Sequence, residues 1–276
     1  MVKKLYKLNY TQRLNNNQVQ VMKKIVFFVI VFISLTVNAQ QIHENGKYAD
    51  VNGVKLYYEI YGEGEPLLMI HGNGGSFSCF ENQVAEFSKH FKVVLIDCRG
   101  RGNSSYQKGV ELTFDLQVED INLFLDKLNI KKANILGWSD GGIIGLLLAI
   151  KHPEKVNKLV TSGANIFPEG VIDFEDMKKT AIDLETKNLN HENDLAIDLN
   201  NLDLKYPNLK FTDLNVIKSK TLIIAGDHDV IKSQHTLKIY ESIPNAQLAI
   251  LPNSSHSALI ENSKLFNEIV LRFLMQ

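Results

Sequence analysis

Gly137-Trp138-Ser139-Asp140-Gly141-Gly142 stands between a short apolar run, Ala133-Asn134-Ile135-Leu136, and a longer one from Ile143 to Ile150. The first run has the length of a buried strand and the second that of a buried helix. A serine between two glycines at a strand-to-helix turn meets the demands of a nucleophile elbow, where the backbone is held in a strained conformation and the hydroxyl stands clear of it. A side chain at Gly137 or Gly141 would crowd such a turn. The helix that follows aims its N-terminus at the site, where negative charge would develop on an oxyanion. A glycine-rich helix start with a capping serine would leave the same hexapeptide, so the reading depends on what stands elsewhere in the chain.

Short apolar strands alternate with helices through most of the sequence. Val54–Tyr61, Pro66–Ile70, Lys92–Asp97, Val156–Ser162, Thr221–Ala225 and Ala246–Leu251 read as strands, rich in β-branched, aromatic and other apolar residues. Helices are expected around Glu81 to Lys89, after an N-cap at Thr113 with Phe114, Val118, Ile121, Leu125 and Leu128 at helical spacing, and at the end with Leu265, Phe266, Ile269, Val270 and Phe273. This alternation predicts an α/β fold, a mostly parallel sheet covered by helices on both faces. The interval 165–219 breaks it, being charged and Asn-rich with weaker periodicity. It is expected to form a small helical cap of one to three helices over the carboxyl ends of the strands, the edge where open α/β sheets bind ligands.

The N-terminus has the three parts of a secretory signal: the basic Met22-Lys23-Lys24, an apolar run from Ile25 to Val37, and the small-x-small Val37-Asn38-Ala39. Residues 1–39 are therefore expected to be a leader and signal peptide, with Met22 a possible true start and 40–276 a single domain. A long signal n-region is the alternative for 1–21, and an uncleaved membrane anchor is the alternative for the whole leader, although the apolar run is short of the about 20 residues a spanning helix needs. The full chain carries a formal charge of −1; the leader holds six Lys and Arg and no Asp or Glu, so the remainder would stand at −7. An acidic body argues against nucleic acid as a partner. An exported protein, periplasmic or secreted, with no stable membrane association after cleavage is the expectation. Cys79 and Cys98 are the two cysteines. Export would permit a bridge between them, and two free, partly buried thiols are the plainer reading. No cysteine or histidine grouping has metal-ligand spacing, and neither a metal nor a cofactor is indicated.

A serine hydroxyl needs a base, and the base an orienting acid. Of eight histidines, His256 is best placed, in the polar Asn253-Ser254-Ser255-His256-Ser257 between the last strand and the last helix. Gly226-Asp227-His228-Asp229 follows a strand directly, and either aspartate could orient the imidazole while the other forms the turn. His71-Gly72-Asn73-Gly74-Gly75 ends another strand; the Asn73 N–H, with that of Asp140, could hold a carbonyl oxygen as it becomes negative. The spacing there is not that of a nucleotide-binding glycine loop.

These motifs together resemble the α/β-hydrolase superfamily over nearly all of residues 47–276. The glycine loop at 71–75, Asp97-Cys98-Arg99-Gly100-Arg101-Gly102-Asn103-Ser104, the elbow, and Gly226–Asp229 with Ser255-His256 occur in that family's order. The resemblance implies an eight-stranded, mostly parallel sheet and selects Asp229 as the triad acid. It implies Ser139 as nucleophile, His256 as base, and the amides of Asn73 and Asp140 as the oxyanion hole. The elbow itself is similar to that of the biphenyl hydrolase-like group, which includes valacyclovir hydrolase. That similarity implies that Asp140, with Trp138, helps bind substrate, the Asp140 carboxylate attracting an ammonium; a plain role in capping the elbow helix is the alternative. The expected activity is serine-dependent cleavage of a carboxylic ester or related acyl bond of a small molecule. A small aminopeptidase of the proline iminopeptidase kind, a carbon–carbon hydrolase or lactonase, and a non-catalytic ligand-binding relative are the competing readings. Haloalkane dehalogenation would need an aspartate where Ser139 stands.

Overall fold

Strands with no polar face must be covered on both sides. A computed structural model describes residues 46–188 and 191–276, and its eight strands lie in one sheet in the order β1-β2-β4-β3-β5-β6-β7-β8. They are β1 (Lys47–Val51), β2 (Val54–Tyr61), β3 (Glu65–Ile70), β4 (Phe91–Ile96), β5 (Ala133–Trp138), β6 (Val156–Ser162), β7 (Lys220–Gly226) and β8 (Gln247–Leu251). The β1–β2 and β2–β4 pairs are antiparallel and the rest are parallel. The leader and cleavage site expected within 1–39 lie outside the described residues. No helix among the described residues is long and apolar enough to cross a membrane.

Period-two alternation sorts the central strands into two cores. Leu68, Ile70, Val94, Ile96 and Ile135 pack on one face with α2 (Phe114–Lys127) and α3 (Asp140–Lys151). Leu67, Met69, Val93, Leu95 and Leu136 pack on the other with Phe87 of α1 (Glu81–Phe87) and with Phe266, Val270 and Phe273, which belong to the closing helix Ser263–Leu274. The Thr113 hydroxyl accepts the Leu116 N–H, as an N-cap should. One strand escaped the sequence reading. β1 buries only Ala49 and Val51 and turns into β2 through Asn52-Gly53, both with positive φ. That dipeptide is the usual signal for a tight hairpin.

The interval 165–219 holds two α-helices, α4 (Phe174–Lys187) and α5 (Asp194–Lys205), besides short 3-10 turns. Ties from the loop after β4 hold α5: the Tyr106 hydroxyl donates to Asp198, and Lys108 Nζ lies 2.6 Å from Asp194. The remaining helices are α6 (Ser233–Ser242), the short α7 (Ala258–Glu261) and the closing α8 (Ser263–Leu274). Cys79 and Cys98 are both free thiols.

Candidate active site

β3 and β5 are neighbours although α1, β4 and α2 separate them in sequence, so the sheet order reverses between them. Loops leaving the carboxyl ends of two such strands diverge and open a crevice. The glycine loop leaves β3 there, and the elbow leaves β5. Ser139 has φ 55° and ψ −119°, a left-handed conformation costly for a residue with a side chain. The turn closes because Gly137 and Gly141, two residues to either side, carry no side chain. A Cβ on Gly137 would stand 2.1 Å from the Gly141 carbonyl oxygen, and one on Gly141 would stand 1.9 Å from that of Ile70.

Ser139 Oγ lies 2.9 Å from His256 Nε2, and His256 Nδ1 lies 2.7 Å from Asp229 Oδ1. An ionised Asp229 can only accept, so Nδ1 carries the proton and Nε2 is left to accept from the serine hydroxyl. Asp229 is itself fixed, its Oδ1 also accepting the Ile231 N–H at 3.0 Å. Asp227 does something else. Its Oδ1 accepts the Ser254 N–H at 3.0 Å, and that backbone donor, first among several, holds its carboxyl down at about 2. It shapes the His256 loop rather than touching the ring. The residues read from three separate motifs, Ser139, Asp229 and His256, thus lie in one hydrogen-bonded line.

Asn73 and Asp140 belong to the two loops that border the crevice. Neither backbone N–H donates to a protein acceptor among the described residues, as expected for a loop amide and the first N–H of a helix. Loop and elbow are in close contact: a Cβ on Gly72 would stand 2.9 Å from Ser139 Cβ. Fully buried His71 braces the loop, accepting the Cys98 N–H at Nε2 (3.0 Å) and donating from Nδ1 to the Gly72 carbonyl (2.7 Å). Burial, aided by the nearby Arg101 charge, lowers its pKa to about 3, so it stays neutral and keeps both bonds.

Trp138 and Asp140 have their polar atoms engaged. The Trp138 indole N–H donates to the His256 carbonyl at 2.8 Å, and its ring lies 5.7 Å from the imidazole. Asp140 is 3% exposed, and its Oδ2 lies 2.9 Å from Arg101 Nη2. The ammonium role that the resemblance implied therefore meets a carboxylate already holding a guanidinium.

Sequence reading missed the next partner. Asp203, on α5, accepts from Asn73 Nδ2 at 2.6 Å, and its carboxyl lies beside that of Asp140. The signal available was weak: Leu199 and Asp203 are four residues apart, one turn on the same helix face, in a segment whose apolar pattern is thin. Among the described residues no cluster of side chains is suited to a metal ion.

A family model described as alpha/beta hydrolase fold matches residues 65–188. A 2-hydroxy-6-oxononadienedioate/2-hydroxy-6-oxononatrienedioate hydrolase of Comamonas testosteroni is 28% identical, the alignment covering 84% of this chain and 94% of that protein. A 2-hydroxymuconate semialdehyde hydrolase of a Pseudomonas species is also 28% identical, with 86% and 96% covered. Among solved structures, the enol-lactonase of Burkholderia xenovorans superposes with a TM-score of 0.70 at 26% identity, covering 83% of this chain and all of that one.

Proposed function

Taking as premise that the chain belongs to the α/β-hydrolase superfamily and is a hydrolase, we propose that it cleaves a carboxylic ester or related acyl bond of a small molecule through a serine-bound acyl intermediate. The observation that carries this is the Ser139–His256–Asp229 line, with contacts of 2.9 and 2.7 Å. His256 Nε2 takes the hydroxyl proton as Ser139 Oγ attacks the carbonyl carbon. Asp229 keeps the ring in the reactive tautomer and steadies the imidazolium. The Asn73 and Asp140 amides receive the oxyanion, and one such donor is worth about 3 to 4 kcal/mol of barrier. The imidazolium then protonates the leaving group. Water, deprotonated by the same nitrogen, attacks the acyl-enzyme and frees Ser139. These steps call on no cofactor.

Turnover of a p-nitrophenyl acyl ester panel tests the reading. Ser139→Ala is expected to lower kcat by at least about 10⁴-fold while the fold persists. Equal turnover in the two proteins would reject it, as would a wild type inert both to the panel and to a fluorophosphonate that labels activated serines.

A second reading, carbon–carbon cleavage or lactone opening, is favoured by the names of the relatives. Those with 28% identity are hydrolases of oxo-dienedioate and semialdehyde compounds, and the superposed structure is an enol-lactonase. A lactone and a vinylogous 1,5-diketone offered beside the esters discriminate, the larger kcat/KM naming the bond. Export is proposed on the sequence pattern of Met22 to Ala39. N-terminal sequencing of the protein recovered outside the cytoplasm, beginning at Gln40, would test it.

A further inference from the structure

Asn73 has two jobs in different parts of the residue. Its backbone amide belongs to the proposed oxyanion hole, while its side-chain nitrogen reaches the cap, donating to the Leu199 carbonyl at 3.0 Å and to Asp203 Oδ2 at 2.6 Å. Leu199 and Asp203 sit one turn apart on α5, so a single helix face presents both acceptors. The same Asp203 carboxyl lies beside that of Asp140, whose amide is the other proposed oxyanion donor. One cap residue therefore touches the side chains of both residues whose backbone amides would hold the oxyanion. We infer that Asp203 is a positioning residue for the oxyanion hole, a carboxyl that ties cap helix α5 to the glycine loop through Asn73 and to the elbow through Asp140. This role rests on the hydrolytic reading above.

The charge around it explains why the proton is needed. Arg101 Nη2 is 2.9 Å from Asp140 Oδ2, and among the described residues it is the one guanidinium at this buried pair. Two ionised carboxylates against a single cation in a dry setting would repel, and one of them keeps its proton instead. Burial raises the Asp140 carboxyl, and the Arg101 guanidinium against it draws it back toward the charged form. Burial, followed by the neighbouring Asp140 charge, pushes Asp203 well above the usual carboxylate range. The groups facing the pair are Arg101 from the loop after β4, Asn73 from the loop after β3, and His256 from the loop after β8. Protonated Asp203 donates to Asp140 and accepts from Asn73. Once ionised it can no longer donate, and it faces a like charge.

The test compares Asp203→Ala and Asp203→Asn with wild type over a pH series, using a p-nitrophenyl ester. Asparagine can accept from Asn73 and donate to Asp140 at every pH; alanine can do neither. Asp203→Ala is expected to lose about 100-fold in kcat, the scale of a roughly 1 Å misplacement, with KM changed far less. Asp203→Asn is expected to restore most of that loss. Wild type is expected to lose kcat as pH rises through the titration of Asp203, and Asp203→Asn to lack that descending limb. Carbon-13 NMR of protein labelled at aspartate Cγ reads the same proton without activity: one carboxyl titrating far above the ordinary range, absent in Asp203→Asn. A wild-type kcat in Asp203→Ala, an unchanged descending limb in Asp203→Asn, or no such carboxyl signal would each overturn the inference. Fluorophosphonate labelling of Ser139 in wild type checks the hydrolytic reading separately. A labelled wild type with an undisturbed Asp203→Ala would leave that reading standing and remove only the positioning role.

Discussion

Arg99 and Arg101 are two residues apart on the loop after β4, both buried, and they are partnered in opposite ways. Arg99 meets Asp120 of α2 as a closed fork, Nε to Oδ2 and Nη2 to Oδ1, each at 2.7 Å, with Asn52 Nδ2 donating to the same Oδ1 at 2.9 Å. One cation faces one anion, and the geometry is bidentate. Arg101 meets Asp140 by a single contact and has a second carboxyl, Asp203, beyond it. The first arrangement joins the turn after β1, the loop and α2, and among the described residues it makes no hydrogen bond to the triad. The second lies directly behind Ser139 and includes a residue from the cap. A closed pair fixes the scaffold; an open one, with more acid than base, leaves a proton whose loss can be felt at the site.

Removing one acid from each should separate the two most sharply. Asp120→Ala strands the Arg99 charge in a position that is 2% exposed, and breaking a buried pair in this way costs about 3–5 kcal/mol. Asp140→Asn strands nothing for long, because Asp203 can release its proton and take up the partnership with Arg101. The expected loss is about 1.5 to 3 kcal/mol, the order of one charge-assisted hydrogen bond. Urea unfolding of the two variants gives both numbers. Equal losses would mean that Asp203 does not stand in for Asp140.

The pH dependence of stability should come next in size. Asp203 holds its proton more tightly folded than unfolded, so its contribution is constant below about pH 4, the ordinary aspartate value, and stability declines as pH rises from there through the folded value. The slope is at most about 1.4 kcal/mol per pH unit for one proton. Asp97, which burial raises to about 6, acts with the same sign between about pH 4 and pH 6. The difference between wild type and Asp203→Asn cancels Asp97, so what remains belongs to Asp203 and the Asp140 carboxyl beside it. Melting temperatures that fall in parallel for both would assign the slope elsewhere.

The contrast between the arginines also marks what could be read from the sequence. The Asp97–Ser104 turn is legible as a motif because its spacing is local. Asp97 takes the Phe77 and Asn103 N–H groups at its two oxygens, and the Ser104 hydroxyl donates to the Asp97 carbonyl at 2.6 Å. Ser139 and His256 could be named for a related reason: each lies at a strand end, and strand ends are written in short apolar runs closed by glycine or polar residues. Asp229 and Asp227 follow the same strand, and only the family resemblance told them apart. Asp120 and Asp203 could not, since both are acids on helix faces, where dozens of sequence positions look alike and only tertiary packing selects one. β1 was overlooked for a weaker reason, since Asn52-Gly53 announced the hairpin while a strand with two buried residues gave little periodicity.

The smallest effect concerns a third pairing, between Lys108 and Asp194 at the rim of the cap. Its atoms lie 2.6 Å apart, but the lysine is 67% exposed. Water screens such a pair, and ordering a long side chain offsets much of the attraction, so exposed pairs contribute about 0 to 1 kcal/mol. Lys108→Ala is therefore expected to shift the unfolding midpoint slightly and to leave kcat where it was, although it cuts a tie to the same helix that carries Asp203. The buried cluster, not the surface ion pair, should hold α5 over the elbow. A loss of kcat in Lys108→Ala comparable to that in Asp203→Ala would reverse this assignment, placing the docking of the cap in its rim and making the open arrangement at Arg101 a bystander.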